Sequence, residues 1–252
     1  MTMVLELIIA ATLLVSAISL VGVVLFLIGK EKMDEILFFL LSFSTGTLLG
    51  AAFFDLLLES VELVTPELAL ETAFMGVVVG FVIEKVIHWH HHHAGKANEH
   101  HRPLGMLTLV GDGVHNFLDG VAIAAAFMVN VPLGITTTIA IALHEIPQEI
   151  GDFGLLIYSG YSKAKALAFN LISALTAIAG GVLFYFFSGA VGHIEGYALA
   201  FTAGMFIYVA AADLLPELHK EKRARNSLLQ LACIFAGAAI IWLVARKLEH
   251  AG

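Results

Sequence analysis

Eight runs of mainly apolar residues follow one another along this chain, at 4–28, 36–58, 69–89, 104–129, 132–158, 163–187, 194–216 and 227–246. Each is close to the length, about 20 residues, that carries an α-helix across a bilayer. Inside lipid every backbone polar group must find its partner within the segment, which leaves the helix as the available form for such runs. The expected fold is therefore all-α: a polytopic membrane protein with eight transmembrane helices. Pro66, Pro103 and Pro132 mark short connections between runs. With no long polar linker, residues 1–252 read as a single transmembrane domain. Hydrophobic residues make up 59% of the chain and charged residues 13%, too little charge to clothe a soluble domain of this size.

The basic residues orient the helices. Lys30 and Lys32 follow the first run, and Lys85, Lys96 and Arg102 surround the loop after the third. Lys163 and Lys165 follow the fifth, and Lys220, Lys222, Arg223 and Arg225 follow the seventh. Of 13 basic residues, all but Arg246 and Lys247 thus fall on one side. That side should be the cytoplasm, which puts both termini outside. The first run has no Lys or Arg before it, so it reads as a retained helix and not as a secretory signal. The expected location is an integral, multi-pass one in a plasma or inner membrane, an organelle membrane being the other option, with the lipid bilayer as the constant partner.

Several function classes drop out. The formal charge of -8, with basic residues confined to short loops, excludes a nucleic-acid partner. The single Cys233 supports neither a disulfide framework nor a thiolate cage. No phosphate-binding loop is present, so ATP is not the implied energy source. No cofactor is required by any motif.

Two of the apolar runs carry polar motifs near their middles: Asp112-Gly-Val-His115-Asn116-Phe-Leu-Asp119-Gly in the fourth, and His144-Glu145-Ile-Pro-Gln148-Glu149-Ile-Gly-Asp152 in the fifth. Ionisable groups within a membrane are costly and mark function. Asp112, His115, Asn116 and Asp119 share one helix face. His144, Gln148 and Asp152 form one row, and Glu145 and Glu149 a row beside it. Counted at 1.5 Å per residue, His115 and Gln148 both lie roughly 15 Å from the inner boundary, so the two faces can meet at the midplane. Imidazole, carboxylate and amide donors suit a borderline divalent ion such as zinc. Pro147 frees the carbonyl of Leu143 and could thereby kink the helix or offer the ion an extra oxygen. The competing reading, polar contacts that merely join helices, explains nine polar positions poorly.

These residues resemble the ZIP family of metal transporters. His115-Asn116-Phe117-Leu118-Asp119-Gly120 matches the family's helix-4 pattern, and His144 to Asp152 is similar to the HExPHExGD signature of its histidine-rich subfamily. Tyr208 to Glu217 and Asn170 to Ala174 are similar to that subfamily as well. The resemblance implies an eight-helix fold and movement of a divalent ion toward the cytoplasm, Zn2+ first and Fe2+, Mn2+ or Cd2+ as alternatives. It implies a primary site at His115, Asp119, His144 and Gln148. A neighbouring site would use Asn116 and Glu145, with Glu149 and Asp152 as further candidates. The fourth primary position holds Gln148, a weaker neutral ligand than the usual His or Glu. The sixth run supplies Asn170, Ser173 and Thr176 but no carboxylate, so one well-formed site is the expectation.

Further candidates lie outside these helices. Asp55 and Glu59 could draw cations at an entrance, and Asp213, Glu217 and His219 could line an exit. A cytoplasmic loop at about 90–103 carries His90, His91, His92, His93, His100 and His101, a compositional signal for metal binding. A homodimer is compatible with the sequence. Two other functions compete. An intramembrane zinc metalloprotease would read His144-Glu145-Ile-Pro-Gln148 as HExxH, but the second zinc histidine is replaced by Gln148. A pure metal receptor would share the ligands. A non-enzymatic transporter is the expectation.

Overall fold

The computed structural model describes residues 2–26, 30–93, 102–190 and 192–249. Among them every apolar run is helical and no strand occurs. The helices are α1 (Thr2–Ile18), α2 (Lys30–Ala51), α3 (Leu57–Leu63), α4 (Pro66–His93), α5 (Arg102–Val129), α6 (Val131–Tyr158), α7 (Lys163–Ala174), α8 (Thr176–Phe187), α9 (Ile194–Val209), α10 (Leu215–Leu218) and α11 (Ala224–Glu249).

Four of the apolar runs are not uniform α-helix, and in three of them a local cause is visible. The first passes from α1 into a 3-10 stretch, Ser19–Phe26. There Gly22 lies so near the Phe153 ring that a Cβ would meet it at 2.6 Å. A π-helical turn, Ala52–Leu56, joins α2 to α3, and a second, Ala210–Leu214, joins α9 to α10. The second ends just before Pro216, whose ring cannot pack on a regular preceding turn. In the sixth run the helix breaks at Leu175 between α7 and α8. Hydroxyls compete for the carbonyls there: Thr176 Oγ1 bonds Ser173 O at 2.6 Å and Ser16 Oγ bonds Ala174 O at 2.7 Å. Helix α6 begins where expected because Asn130 caps it, its side chain accepting from Leu133 N at 2.8 Å, with Pro132 in the first turn.

Close crossings between helices are built on pairs of glycines facing each other's backbones. In α5 and α8, a Cβ on Gly120 would lie 1.9 Å from Ala177 O and one on Gly180 2.0 Å from Phe117 O. Gly46 and Gly237 stand in the same relation between α2 and α11, at 2.0 Å and 2.3 Å from the facing carbonyls of Ile234 and Phe43. Gly76 and Gly204 do so between α4 and α9, at 2.2 Å and 1.9 Å from Phe201 and Ala73. Small residues that bring backbones together replace the hydrophobic drive that lipid removes. Large apolar side chains correspondingly face outward: Phe186, Phe187 and Phe235 are each about two-thirds exposed.

The protein is an integral, multi-pass membrane protein. Six of the described helical runs are long and apolar enough to cross a membrane on their own. The two 28-residue helices outside that set, α5 and α6, hold the polar motifs. Their alanine-rich and polar faces are buried, including Ala122 to Ala126, Asn116, Asp119, His144, Glu145 and Glu149. Helix α4 continues through His93. The side chains of His90, His91, His92 and His93, and all of His100 and His101, lie outside the described residues.

Candidate metal centre

Helices α5 and α6 run antiparallel through the middle of the molecule and bring four donors together. The Nε2 atoms of His115 and His144 are 3.1 Å apart. Glu145 Oε1 lies 3.5 Å from the first and 3.3 Å from the second. Asp119 Oδ2 lies 3.8 Å and 3.5 Å from them. All four ligand atoms fall within 4.8 Å of one another. Donors placed 2.0–2.1 Å from a tetrahedral zinc ion stand about 3.3 Å apart, so these separations are close to the edges of a zinc tetrahedron.

The surroundings aim the donors inward. Nδ1 of His144 lies 3.3 Å from the carbonyl of Ala140, a contact that keeps the proton on Nδ1 and leaves the Nε2 lone pair for a cation. Phe206 packs edge-on against the same imidazole, with ring centroids 5.8 Å apart. Asp119 Oδ2 and Glu145 Oε1 are buried without any hydrogen-bond partner. Buried carboxylate oxygens left unpaired are costly, and a cation among them removes that cost.

A second cluster adjoins the first on the side where α5 begins. Asp112, Glu145 and Glu149 each offer an oxygen within 4.8 Å of the others. The amide nitrogen of Asn116 donates to Asp112 Oδ1 at 2.9 Å, and that of Asn170 to Glu149 Oε2 at 2.7 Å. Those bonds leave Asp112 Oδ2, Asn116 Oδ1, Glu149 Oε1 and Asn170 Oδ1 buried and unpaired. Every open donor here is oxygen, in contrast to the imidazole pair next door. Asp112 was legible in the sequence as part of the shared face but stood outside the expected ligand set.

The structure distributes the other expected residues differently. Gln148 directs its Nε2 to Asp112 Oδ1 at 3.4 Å, and Glu145 is the fourth member of the imidazole cluster. The HExxH arrangement of a metalloprotease is therefore not formed: its glutamate stands among the ligand atoms and its second histidine position faces another carboxylate. The Leu143 carbonyl freed by Pro147 accepts from Ser44 Oγ at 2.7 Å, so α2 supplies the partner that the proline removes. Nothing in the sequence singled out Ser44 among the neighbouring hydroxyls.

Two cavities approach the imidazole cluster from opposite ends. One, of about 400 Å³, is lined by Glu84, Asp112, Gln148, Asp152, Tyr208 and Asp213 as well as His115 and His144. Residues of α4, α5, α6 and α9 line it, and Tyr208 donates its hydroxyl hydrogen to Glu84 between α9 and α4. The other, of about 250 Å³, is walled largely by apolar side chains such as Leu118, Ala198, Phe201 and Phe206, with His115 and Asp119 at its floor. Of the expected exit residues, Asp213 lines the larger cavity, whereas Glu217 and His219 are exposed beyond it, Glu217 paired with Lys220. Asp55 and Glu59 line a separate small hollow with Asn130 and Pro132. There Asp55 accepts from Thr136 and Glu59 from Asn130 Nδ2 at 3.4 Å.

An all-helical bundle of apolar spans enclosing a buried imidazole–carboxylate cluster defines a class, that of multi-pass membrane proteins with polar helices packed inside the bundle. Within that class the chain belongs to the ZIP zinc transporter family, whose model matches residues 4–105 and 90–245. It is similar to mouse zinc transporter SLC39A7, with 42% identity over 60% of this chain and 33% of that protein. It is also similar to zebrafish zinc transporter ZIP10, with 39% identity over 58% of this chain and 18% of that protein. The Arabidopsis thaliana IAA-alanine resistance protein 1 is 42% identical over 54% and 29% of the two chains. The matches thus span a third or less of these curated relatives.

Proposed function

We propose that this protein moves a divalent cation, zinc in the first place, through the membrane toward the cytoplasm. The ion would rest between α5 and α6 on His115, Asp119, His144 and Glu145. The observation that carries this reading is the match between the separations of those four atoms and the edges of a zinc tetrahedron. Membership of the family and the relatives named zinc transporters support it. The absence of cysteine from the cluster suits an ion that must leave again, because thiolates hold zinc more permanently. Fe2+ and Mn2+ are admissible alternatives, since nitrogen and oxygen donors bind the first-row series in graded order, and Cd2+, a softer ion of the same charge, is admissible on the imidazole pair.

In this reading the direction follows from the larger cavity and the loop charges. The acid-lined cavity extends from the cluster to the end of the bundle where the basic loops lie, which the charge rule assigns to the cytoplasm. The second, all-oxygen cluster at Asp112, Glu145 and Glu149 is the next station on that route, with Glu145 shared between the two. Eight membrane crossings with both termini outside complete the reading. The polar helices α5 and α6 cross inside the bundle, where the other helices shield them from lipid.

Uptake of divalent ions into proteoliposomes tests the proposal. The wild type should accumulate zinc, and His115→Ala should lose most of that flux. A wild type that moves no divalent ion, indistinguishable from His115→Ala, would remove the transport reading.

A further inference from the structure

The two cavities that flank the imidazole cluster share two lining residues, His115 and Met205. His115 is a ligand. Met205 has no place in the ion site described so far, yet it stands at the same partition, in α9 and only 8% exposed. Its helix is closely packed at this level. Gly204 lies backbone-to-backbone against Ala73, and Phe206, 2% exposed, is wedged against the His144 ring. Freedom at the partition therefore belongs to the Met205 side chain. Methionine is unbranched, has three rotatable side-chain bonds and changes shape at little cost.

Its sulfur sets it apart from the apolar side chains and the oxygen donors Thr72, Tyr197 and Thr202 that line the smaller cavity with it. Leu118, Val121, Ala198, Phe201 and Phe206 in the wall of the smaller cavity offer an ion nothing in exchange for its water, and the other polar groups there are hard oxygen donors and His115. A thioether is a soft donor, and soft donors favour ions such as Cd2+ and, less strongly, Zn2+ over hard ions such as Mn2+. We infer that Met205 is a specificity-determining residue of the ion path: the movable partition between the two cavities, whose thioether meets the ion as it sheds water on reaching His115. This rests on the transport reading above. A hard ion loses its water at that partition without matching compensation, and a soft ion is partly repaid.

Competition uptake of Cd2+ and Mn2+ into the same proteoliposomes tests the inference. The comparison is between wild type, Met205→Leu and Met205→Ala, each first checked for monodispersity. Leucine conserves volume and is well tolerated in packed interiors, so Met205→Leu removes the sulfur while keeping the partition. The Cd2+/Mn2+ uptake ratio should fall several-fold in Met205→Leu. In Met205→Ala the cavities join, so Mn2+ entry should rise while discrimination falls. If the wild type moves both ions and Met205→Leu keeps its ratio, the specificity role is overturned and transport stands. Unchanged Mn2+ entry in Met205→Ala overturns the partition. A wild type that moves zinc but neither of these ions overturns this role alone, and one that moves none of the three overturns transport and this role with it.

Discussion

Ser44 of α2 donates its hydroxyl hydrogen to the Leu143 carbonyl of α6 at 2.7 Å, replacing the amide that Pro147 cannot supply four residues later. The bond ties the helix that carries His144 and Glu145 to a neighbour outside the α5–α6 pair. Ser44→Ala leaves that carbonyl buried and unpaired, at a cost of about 1–3 kcal/mol. The thermal unfolding midpoint should fall, and zinc affinity with it, because His144 is the next residue along. Ser44→Thr retains the hydroxyl and should recover much of both. A midpoint for Ser44→Ala equal to that of the wild type would show that the bond carries no stability.

Glycines in this fold are not equivalent, and substitution should separate them. A side chain on Gly204 or Gly120 would drive into a carbonyl 1.9 Å from its Cβ. Gly204→Val and Gly120→Val should therefore lose the monodisperse peak in size-exclusion chromatography. Gly151, inside α6, has nothing within 4 Å of where a Cβ would lie. Gly151→Ala should be neutral or raise the melting midpoint, since alanine is favoured over glycine in a helix by about 1 kcal/mol.

The assignment of Glu145 over Gln148 to the imidazole cluster has a direct consequence for affinity. Loss of an outer partner of a metal ligand costs about 10–100-fold in affinity. Glu145→Gln removes a ligand and should weaken zinc binding by more than that, as read by competition with a fluorescent chelator. Gln148→Ala, which removes only a partner of Asp112, should cost less. The reverse order would restore Gln148 to the fourth corner.

The all-oxygen cluster predicts effects of opposite sign with and without metal. Asp112→Asn combined with Glu149→Gln should lower the number of Mn2+ ions bound per chain by one at saturation. In metal-free protein the same pair of changes removes two neighbouring buried charges, each with one oxygen lacking a partner, and should raise the melting midpoint. Unchanged stoichiometry would mean that this cluster holds no ion.

The sequence made the polar faces of α5 and α6 legible because helical spacing alone aligns Asp112 with His115, Asn116 and Asp119, and His144 with Gln148. What could not be read is which row of α6 turns inward. His144 and Glu145 are neighbours in the chain, and only the rotation of α6 against α5 puts both in one cluster and sends Gln148 to Asp112. The pairing of Asn170 with Glu149 and the place of Met205 likewise depend on how distant helices pack. The π turns at Asp55 and Asp213 carry no sequence mark beyond the nearby Pro216.

The most direct test of the central claim is X-ray absorption at the zinc edge on protein loaded with one equivalent of Zn2+. The account predicts four nitrogen and oxygen neighbours at about 2.0–2.1 Å, no sulfur, and multiple scattering from two imidazoles. That scattering should drop to one imidazole in His144→Ala or His115→Ala. A spectrum with no imidazole scattering, or one unchanged when both histidines are replaced, would contradict it.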